Sequence, residues 1–258
     1  MQRRLFFVFG LFSHALFLVV YACMCGFVAN VLVPKSIDSP ATRLSTPLAF
    51  AIDVALLGTF AVPHSVMARP AFKRWWTQFV PPAVERSVYV FVSNILVIAL
   101  LAFWQPIGTV IYDLHSPVIR GVMWCLFAAG WLLVPTASLM ISHFDLFGTR
   151  QVWLNLRGKA YTYLPFHTPM LYKLVRHPLY VGWMIAFWAT PTMTAGHALF
   201  ATVLTAYMLI AIPIEERDLI AAYGEKYENY RKQVPALLPR LRRSNPAVMA
   251  PFGLDPRT

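Results

Sequence analysis

Long apolar runs separated by short polar and basic stretches set the pattern of this chain. A helix needs roughly 20 apolar residues to cross a bilayer, and runs of about that size fall near residues 5–33, 48–67, 87–105, 119–142, 178–195 and 198–214. The pattern predicts about five to six transmembrane helices. Only TPTMTAGH (190–197) interrupts the last two runs, which predicts a tight antiparallel hairpin, one arm of which need not cross fully. The soluble parts are then the segment 143–177 and the stretch from Glu215 onward. The expected fold is an all-α polytopic membrane bundle with a cytoplasmic C-terminal helix. Its expected divisions are transmembrane helices over 1–142, a core carrying the polar segments over 143–240, and a poorly ordered tail over 241–258.

Composition supports this reading, since 58% of residues are hydrophobic and only 13% are charged, too apolar a mixture for a soluble domain. Arg3 and Arg4 precede the first run, which is too long for a signal-peptide core and lacks a clear small-residue cleavage site, so it reads as a retained span. The net charge of +11 does not point to nucleic acid, because the basic residues lie between apolar blocks, as in loops facing anionic lipid and the cytoplasm. With a cytoplasmic N-terminus, 19 of the 22 Lys and Arg residues fall on the inner side, leaving Lys35, Arg43 and Arg120 outside. Both termini are therefore expected in the cytoplasm. Cys23, Cys25 and Cys125 sit inside apolar blocks, where they imply neither disulfide nor zinc.

Two polar clusters stand out against this background. In YKLVRHPLYVG (172–182), Pro178 suits the first turn of a helix and His177 takes the cap position. The free N–H groups of that helix start, with Arg176 beside them, could hold an anionic group. The same residues alone also fit a snorkelling arginine and an interfacial histidine. In IEERDLIAAYGEKYENYRKQVPALLP (214–239), Glu215 and Glu216 sit at a membrane exit, where carboxylates need a partner or a task. Tyr223, Tyr227 and Tyr230 follow on one helical face. Alone, this is an amphipathic interfacial helix. Together the clusters line one hairpin mouth, with carboxylates for ribose hydroxyls, an arginine for a carboxylate, and aromatic faces for an adenine or a sulfonium cation.

The compound pattern Arg176-His177-Pro178-x-Tyr180-x-Gly182, then Glu215-Glu216-x-x-Leu219, Tyr223-Gly224, Tyr227, Tyr230, Val234-Pro235 and Pro239, resembles the signature of the isoprenylcysteine carboxyl methyltransferase superfamily over about residues 168–239. The resemblance implies a membrane enzyme that holds S-adenosylmethionine at the cytoplasmic end of a terminal hairpin. It places the cofactor against Tyr172, Arg176, His177, Pro178, Leu179 and Tyr180, with Glu215 or Glu216, and Tyr227 or Arg231, closing over it. Longer words, VPKSIDS, PHSVMARPAFKRWW, SHFDLFGTRQVW and AFWATPTMT, resemble the branch that converts methanethiol to dimethyl sulfide, and imply a bacterial inner-membrane location. Other acceptors stay open, namely another thiol, a lipid-linked carboxylate or a phospholipid amine. So do an NADPH-using sterol-reductase-like chemistry and a non-enzymatic accessory role.

A thiol acceptor ionises near 8.5, so only a few per cent is thiolate at neutral pH without help. His143 with Asp145 could supply a base and its orienting carboxylate, Arg150 could lower the thiol pKa, and His64 lies at the same expected level. Each histidine also fits a plain interfacial role. Asp53, expected near mid-membrane, reads as structural; His14, His115 and His197 receive no role.

Overall fold

A computed structural model of the chain describes residues 1–40 and 44–239, so Arg43 and the expected tail over 241–258 lie outside the described residues. The elements are α1 (Gln2–Ala29), α2 (Thr46–Met67), α3 (Pro70–Trp76), α4 (Pro82–Phe103), β1 (Val110–Asp113), α5 (Pro117–Ile141), α6 (His143–Leu146) and α7 (Thr149–Leu156). A 3₁₀ turn (Met170–Lys173) then leads to α8 (Pro178–Trp188), β2 (Thr192–Thr194), α9 (Ala195–Tyr223) and α10 (Glu225–Gln233). Among the described residues five helices, α1, α2, α4, α5 and α9, are long and apolar enough to cross a membrane. The protein is an all-α polytopic bundle.

Proline starts much of this architecture. A proline occupies the first turn of α2, α3, α4, α5 and α8, where its missing N–H is no loss and its fixed φ favours helix entry. α1 ends at Asn30 in the left-handed conformation (φ 61°), which Asn tolerates better than most side chains. The core joins Phe27, Leu57, Leu100, Trp104, Phe127, Trp131, Phe187 and Phe200 from six helices.

The fifth apolar run departs from its expected form. It predicts one helix over about 178–195, yet α8 stops at Trp188. Its 11 residues rise only about 16 Å, half the hydrocarbon thickness. The chain continues as an extended segment, reaching β2 beside the start of α9. Non-helical backbone at such depth survives only where protein supplies its hydrogen bonds. Here Ala189, Thr190, Met193 and Thr194 are buried. The Phe187 carbonyl accepts from His197 Nε2 at 2.9 Å, the Pro191 carbonyl from the Leu114 amide at 2.9 Å, and the Thr190 carbonyl from the Tyr112 hydroxyl at 3.2 Å. β2 pairs antiparallel with β1, Val110 opposite Thr194 and Asp113 opposite Thr192. His197, without a role in the sequence reading, thus caps a broken span.

α8 is held against α5 by a contact that only glycine permits. A Cβ on Gly130 would lie 2.5 Å from the Ala186 nitrogen, and one on Gly182 would lie 3.0 Å from the Gly130 carbonyl oxygen. Small residues that let two backbones approach are a recurrent device for apolar helix packing. The glycine of R-H-P-x-Y-x-G is therefore a packing residue that fixes how deep α8 sits.

Asp53 is structural, as expected, but not at mid-membrane. It lies in the second turn of α2 near the strand end of the bundle, fully buried, where Oδ1 accepts from the Gln105 amide at 2.7 Å just past α4.

Candidate functional site

The mouth of the α8–α9 hairpin is organised by the carboxylate of Glu216, which is 5% exposed on α9. Its Oε1 accepts from Arg176 Nε at 2.7 Å and pairs with His177 Nε2 at 3.0 Å. Arg176 is held from the other side as well: Nη1 donates to the Arg231 carbonyl at 3.1 Å and to the Val234 carbonyl. The backbone closes the same knot, with the Arg176 amide donating to Pro235 and the His177 amide to Ala236. Residues after α10 are thereby stitched to the start of α8. The Arg176 side chain also lies against the Tyr227 hydroxyl and lines the cavity.

Glu215 points the other way. Its side chain is 41% exposed, lines the cavity, and accepts from the Tyr180 hydroxyl at 2.8 Å. The two adjacent glutamates therefore divide their work, one buried as a brace and one facing open space.

That space is a cavity of about 680 Å³, within the usual range for small-molecule sites. Tyr172, Arg176, His177, Leu179, Tyr180, Glu215, Tyr223, Tyr227 and Tyr230 form its polar end. Residues 161 and 163–168 of the loop before the 3₁₀ turn complete that wall. Phe166 is its centre, with ring centroids 5.3, 5.8 and 5.5 Å from those of Tyr223, Tyr227 and Tyr230. Away from the mouth the wall turns apolar, through Phe17, Met24, Leu100, Trp183 and Leu204. The phenols of Tyr172, Tyr227 and Tyr230 stay protonated. Burial and the charge of Glu215 push Tyr172 up to about 12, and burial raises Tyr227 and Tyr230 as well.

Two histidine clusters border the same cavity. His64 on α2 sits between hydroxyls from two other helices, Tyr89 of α4 at 2.8 Å from Nε2 and Tyr207 of α9 at 2.9 Å from Nδ1. Arg86 of α4 also lines the wall, its guanidinium 4.8 Å from the Tyr89 ring centre and its Nε donating to the Leu146 carbonyl. His143 Nδ1 meets Ser138 Oγ at 2.8 Å, while His143 Nε2 meets His14 Nε2 at 2.9 Å. The Ser138 hydroxyl donates to the Pro135 carbonyl, so His143 Nδ1 carries the proton and Nε2 accepts from His14. Burial lowers the His143 pKa, which favours the neutral ring this arrangement needs.

Set against the sequence reading, most expected residues converge, with several corrections. Asp145 does not orient His143. It is taken by Arg150 Nη1 at 3.0 Å and by the Tyr161 hydroxyl at 3.1 Å, because the loop after α7 folds back over α6. Arg150 also donates to the carbonyl and hydroxyl of Thr162, which places its charge in the loop rather than in the cavity wall. Arg231 contributes its backbone carbonyl, and the residue itself is exposed. Pro178 is fully buried behind the wall, where it sets the direction of α8. Sequence reasoning missed Tyr89, Tyr207, Arg86, Phe166 and His14. The signal for Phe166 was the aromatic face of Tyr223, Tyr227 and Tyr230, which requires an apolar cover, but nothing local says which residue supplies it.

Fold and site together define a polytopic membrane protein with a ligand-sized chamber at the mouth of its last hairpin, polar and aromatic outside, apolar within. The chain is 48% identical over 241 residues to the methanethiol S-methyltransferase of Mycobacterium tuberculosis (strain ATCC 25618 / H37Rv), covering 93% of this chain and 98% of that relative. Identity is also 48% over 239 residues to the methanethiol S-methyltransferase of Crocosphaera subtropica, covering 93% of each chain. More distantly, it is 28% identical over 218 residues to a nurim homolog of Drosophila pseudoobscura, covering 81% of this chain. No family model matches the chain, and no solved structure matches it. The chain belongs to the methanethiol S-methyltransferase family.

Proposed function

We propose that this chain is a membrane S-methyltransferase that uses S-adenosylmethionine to convert methanethiol to dimethyl sulfide. The observation that carries the reading is the convergence at one mouth of a guanidinium, an outward carboxylate and a tyrosine-rich wall. That set fits the methyl donor: Arg176 suits its carboxylate, Glu215 its ribose hydroxyls, and the tyrosine faces its adenine and its cation. When bound, the donor supplies a methyl group activated on a sulfonium. Tyr172, Leu179, Tyr180 and Tyr227 shape the space around it, while His177 and Glu216 hold Arg176 in place.

The acceptor belongs in the apolar part of the same chamber, where small neutral molecules partition readily. Alignment of acceptor against donor supplies much of the rate, and a small thioether can leave through lipid. Candidates for handling the acceptor's proton are His64 and His143, with Asp145 and Arg150 fixing the loop that covers them. The site end of the bundle carries Arg69, Lys73, Arg74, Arg86, Arg150 and Arg176, which supports a cytoplasmic mouth and cytoplasmic termini in a bacterial inner membrane.

Titration calorimetry of the detergent-purified protein with S-adenosylmethionine tests the cofactor site. Wild type should bind, and Glu215→Gln should weaken binding about 10-fold, equivalent to a charge-assisted hydrogen bond of about 1.5 kcal/mol. Equal affinity in wild type and variant would remove Glu215 from the site.

A further inference from the structure

Of the histidines on the cavity wall, His177 is taken by Glu216 and His167 lies in the loop at the mouth. His64 and His143, which border the apolar part, each have both ring nitrogens engaged, so neither of these two meets a thiol directly as a free base. What separates them is the chemistry of their partners. The chain through His143 runs from His14 through His143 to the Ser138 hydroxyl and ends on the Pro135 carbonyl. A carbonyl accepts and cannot pass a proton on. The open nitrogen of that pair is Nδ1 of His14, and His14 is not part of the cavity wall. The chain is therefore closed to a ligand at the end where a proton would enter.

The chain through His64 is different at both ends. Tyr89 and Tyr207 each offer a hydroxyl, which donates and accepts at once, and Tyr89, His64 and Tyr207 all line the cavity. A neutral imidazole has one N–H and one lone pair, so one tyrosine donates to the ring while the other accepts from it.

We propose that the acceptor's proton leaves through this hydroxyl–imidazole–hydroxyl chain, with Tyr89 receiving it and His64 as its destination, an assignment that rests on the thiol methyltransferase reading above. In the productive arrangement the Tyr89 hydroxyl donates to His64 Nε2, and His64 Nδ1–H donates to Tyr207. The thiol S–H bond breaks as its proton passes to the Tyr89 oxygen, and the original Tyr89 proton passes to Nε2. The freed sulfur lone pair forms the new bond to the methyl carbon as that carbon's bond to the donor sulfonium breaks. One positive charge enters the step on the sulfonium and leaves it on the imidazolium, whose two N–H groups then both donate to tyrosine oxygens. The proton returns to water once the product has gone.

The groups that face this chain are Arg69 at the end of α2, Arg86 on α4, Tyr180 on α8 and Glu215 on α9. The two guanidiniums favour a thiolate nearby, and that thiolate in turn balances the charge of the imidazolium beside it.

His64→Gln tests the assignment, because an amide can still bridge two hydroxyls but does not take up a proton. The first readout needs no methyl donor. An aromatic thiol whose thiolate is coloured is titrated into wild type and variant at a pH below its own pKa. Wild type should show bound thiolate, and His64→Gln and Tyr89→Phe should show much less. The second readout is turnover with methanethiol, where both variants should fall by roughly 10²- to 10⁴-fold at neutral pH. The loss should shrink in alkaline buffer and with the more acidic aromatic thiol. A loss equal for all acceptors and at every pH, with thiolate formation unchanged, would make the three residues a helix tether and overturn the proposal. Wild type that binds S-adenosylmethionine yet methylates no thiol would overturn the thiol reading itself. Tyr207→Phe supplies an independent check: it should preserve thiolate formation better than Tyr89→Phe, and the reverse order would overturn the assigned direction.

Discussion

Glu215 and Glu216 show how much one position of helical phase decides. Adjacent on α9, they point about 100° apart, so Glu216 is buried against Arg176 and His177 while Glu215 meets Tyr180 and the cavity. Glu216→Ala strands a buried guanidinium, a loss of about 3–5 kcal/mol for a broken buried pair. Thermal unfolding in detergent should show a large drop for Glu216→Ala and almost none for Glu215→Gln. Similar melting of the two variants would mean that Glu216 is not a brace. His143 gives a pH-dependent counterpart. Its folded pKa lies below the unfolded value of about 6.5 because burial disfavours the charged ring. The sign follows from proton counting: the unfolded chain binds more protons at acid pH. The contribution is complete above about 6.5 and is lost as pH falls through the lower folded value. Unfolding measured from pH 7.5 to 5 should show acid destabilisation that is reduced in His143→Asn.

At the scale of elements, the sequence made the hairpin mouth legible because both of its polar clusters are local in the chain and lie at the ends of long apolar runs. Arg176, His177, Glu215 and Glu216 could be paired across a short connection without knowing the fold. The partners of His64 and His143 could not, since Tyr207 lies 143 residues from His64 and His14 lies 129 from His143. Hydropathy also missed the break after Trp188, because it reads side chains, whereas the break depends on whether neighbouring groups satisfy the exposed backbone. Here His197, Leu114 and Tyr112 do so. The α5–α8 contact gives a comparison within one helix. Gly130→Ala places a methyl 2.5 Å from backbone and should destabilise by about 1–3 kcal/mol. Gly121→Ala, with nothing within 4 Å, should stabilise by about 0.5–1 kcal/mol through helix propensity. Denaturation of the two variants side by side checks this, and equal effects would contradict the close packing.

For the whole molecule, five of the described helices are long and apolar enough to cross a membrane, and the shorter α8 packs among them against α5. The chamber is polar and aromatic at the hairpin mouth and apolar toward the bundle; in the proposed function the mouth takes the water-soluble methyl donor and the apolar walls take the volatile, lipid-soluble acceptor. On that proposal one chamber serves two reactants of opposite solubility, which meet at the hairpin mouth. The most direct test is to incubate the purified protein with S-adenosylmethionine and methanethiol and to follow dimethyl sulfide in the headspace. The account predicts dimethyl sulfide formed one for one with S-adenosylhomocysteine, abolished when either reactant is omitted. Protein that is folded and binds S-adenosylmethionine but releases no dimethyl sulfide would contradict it.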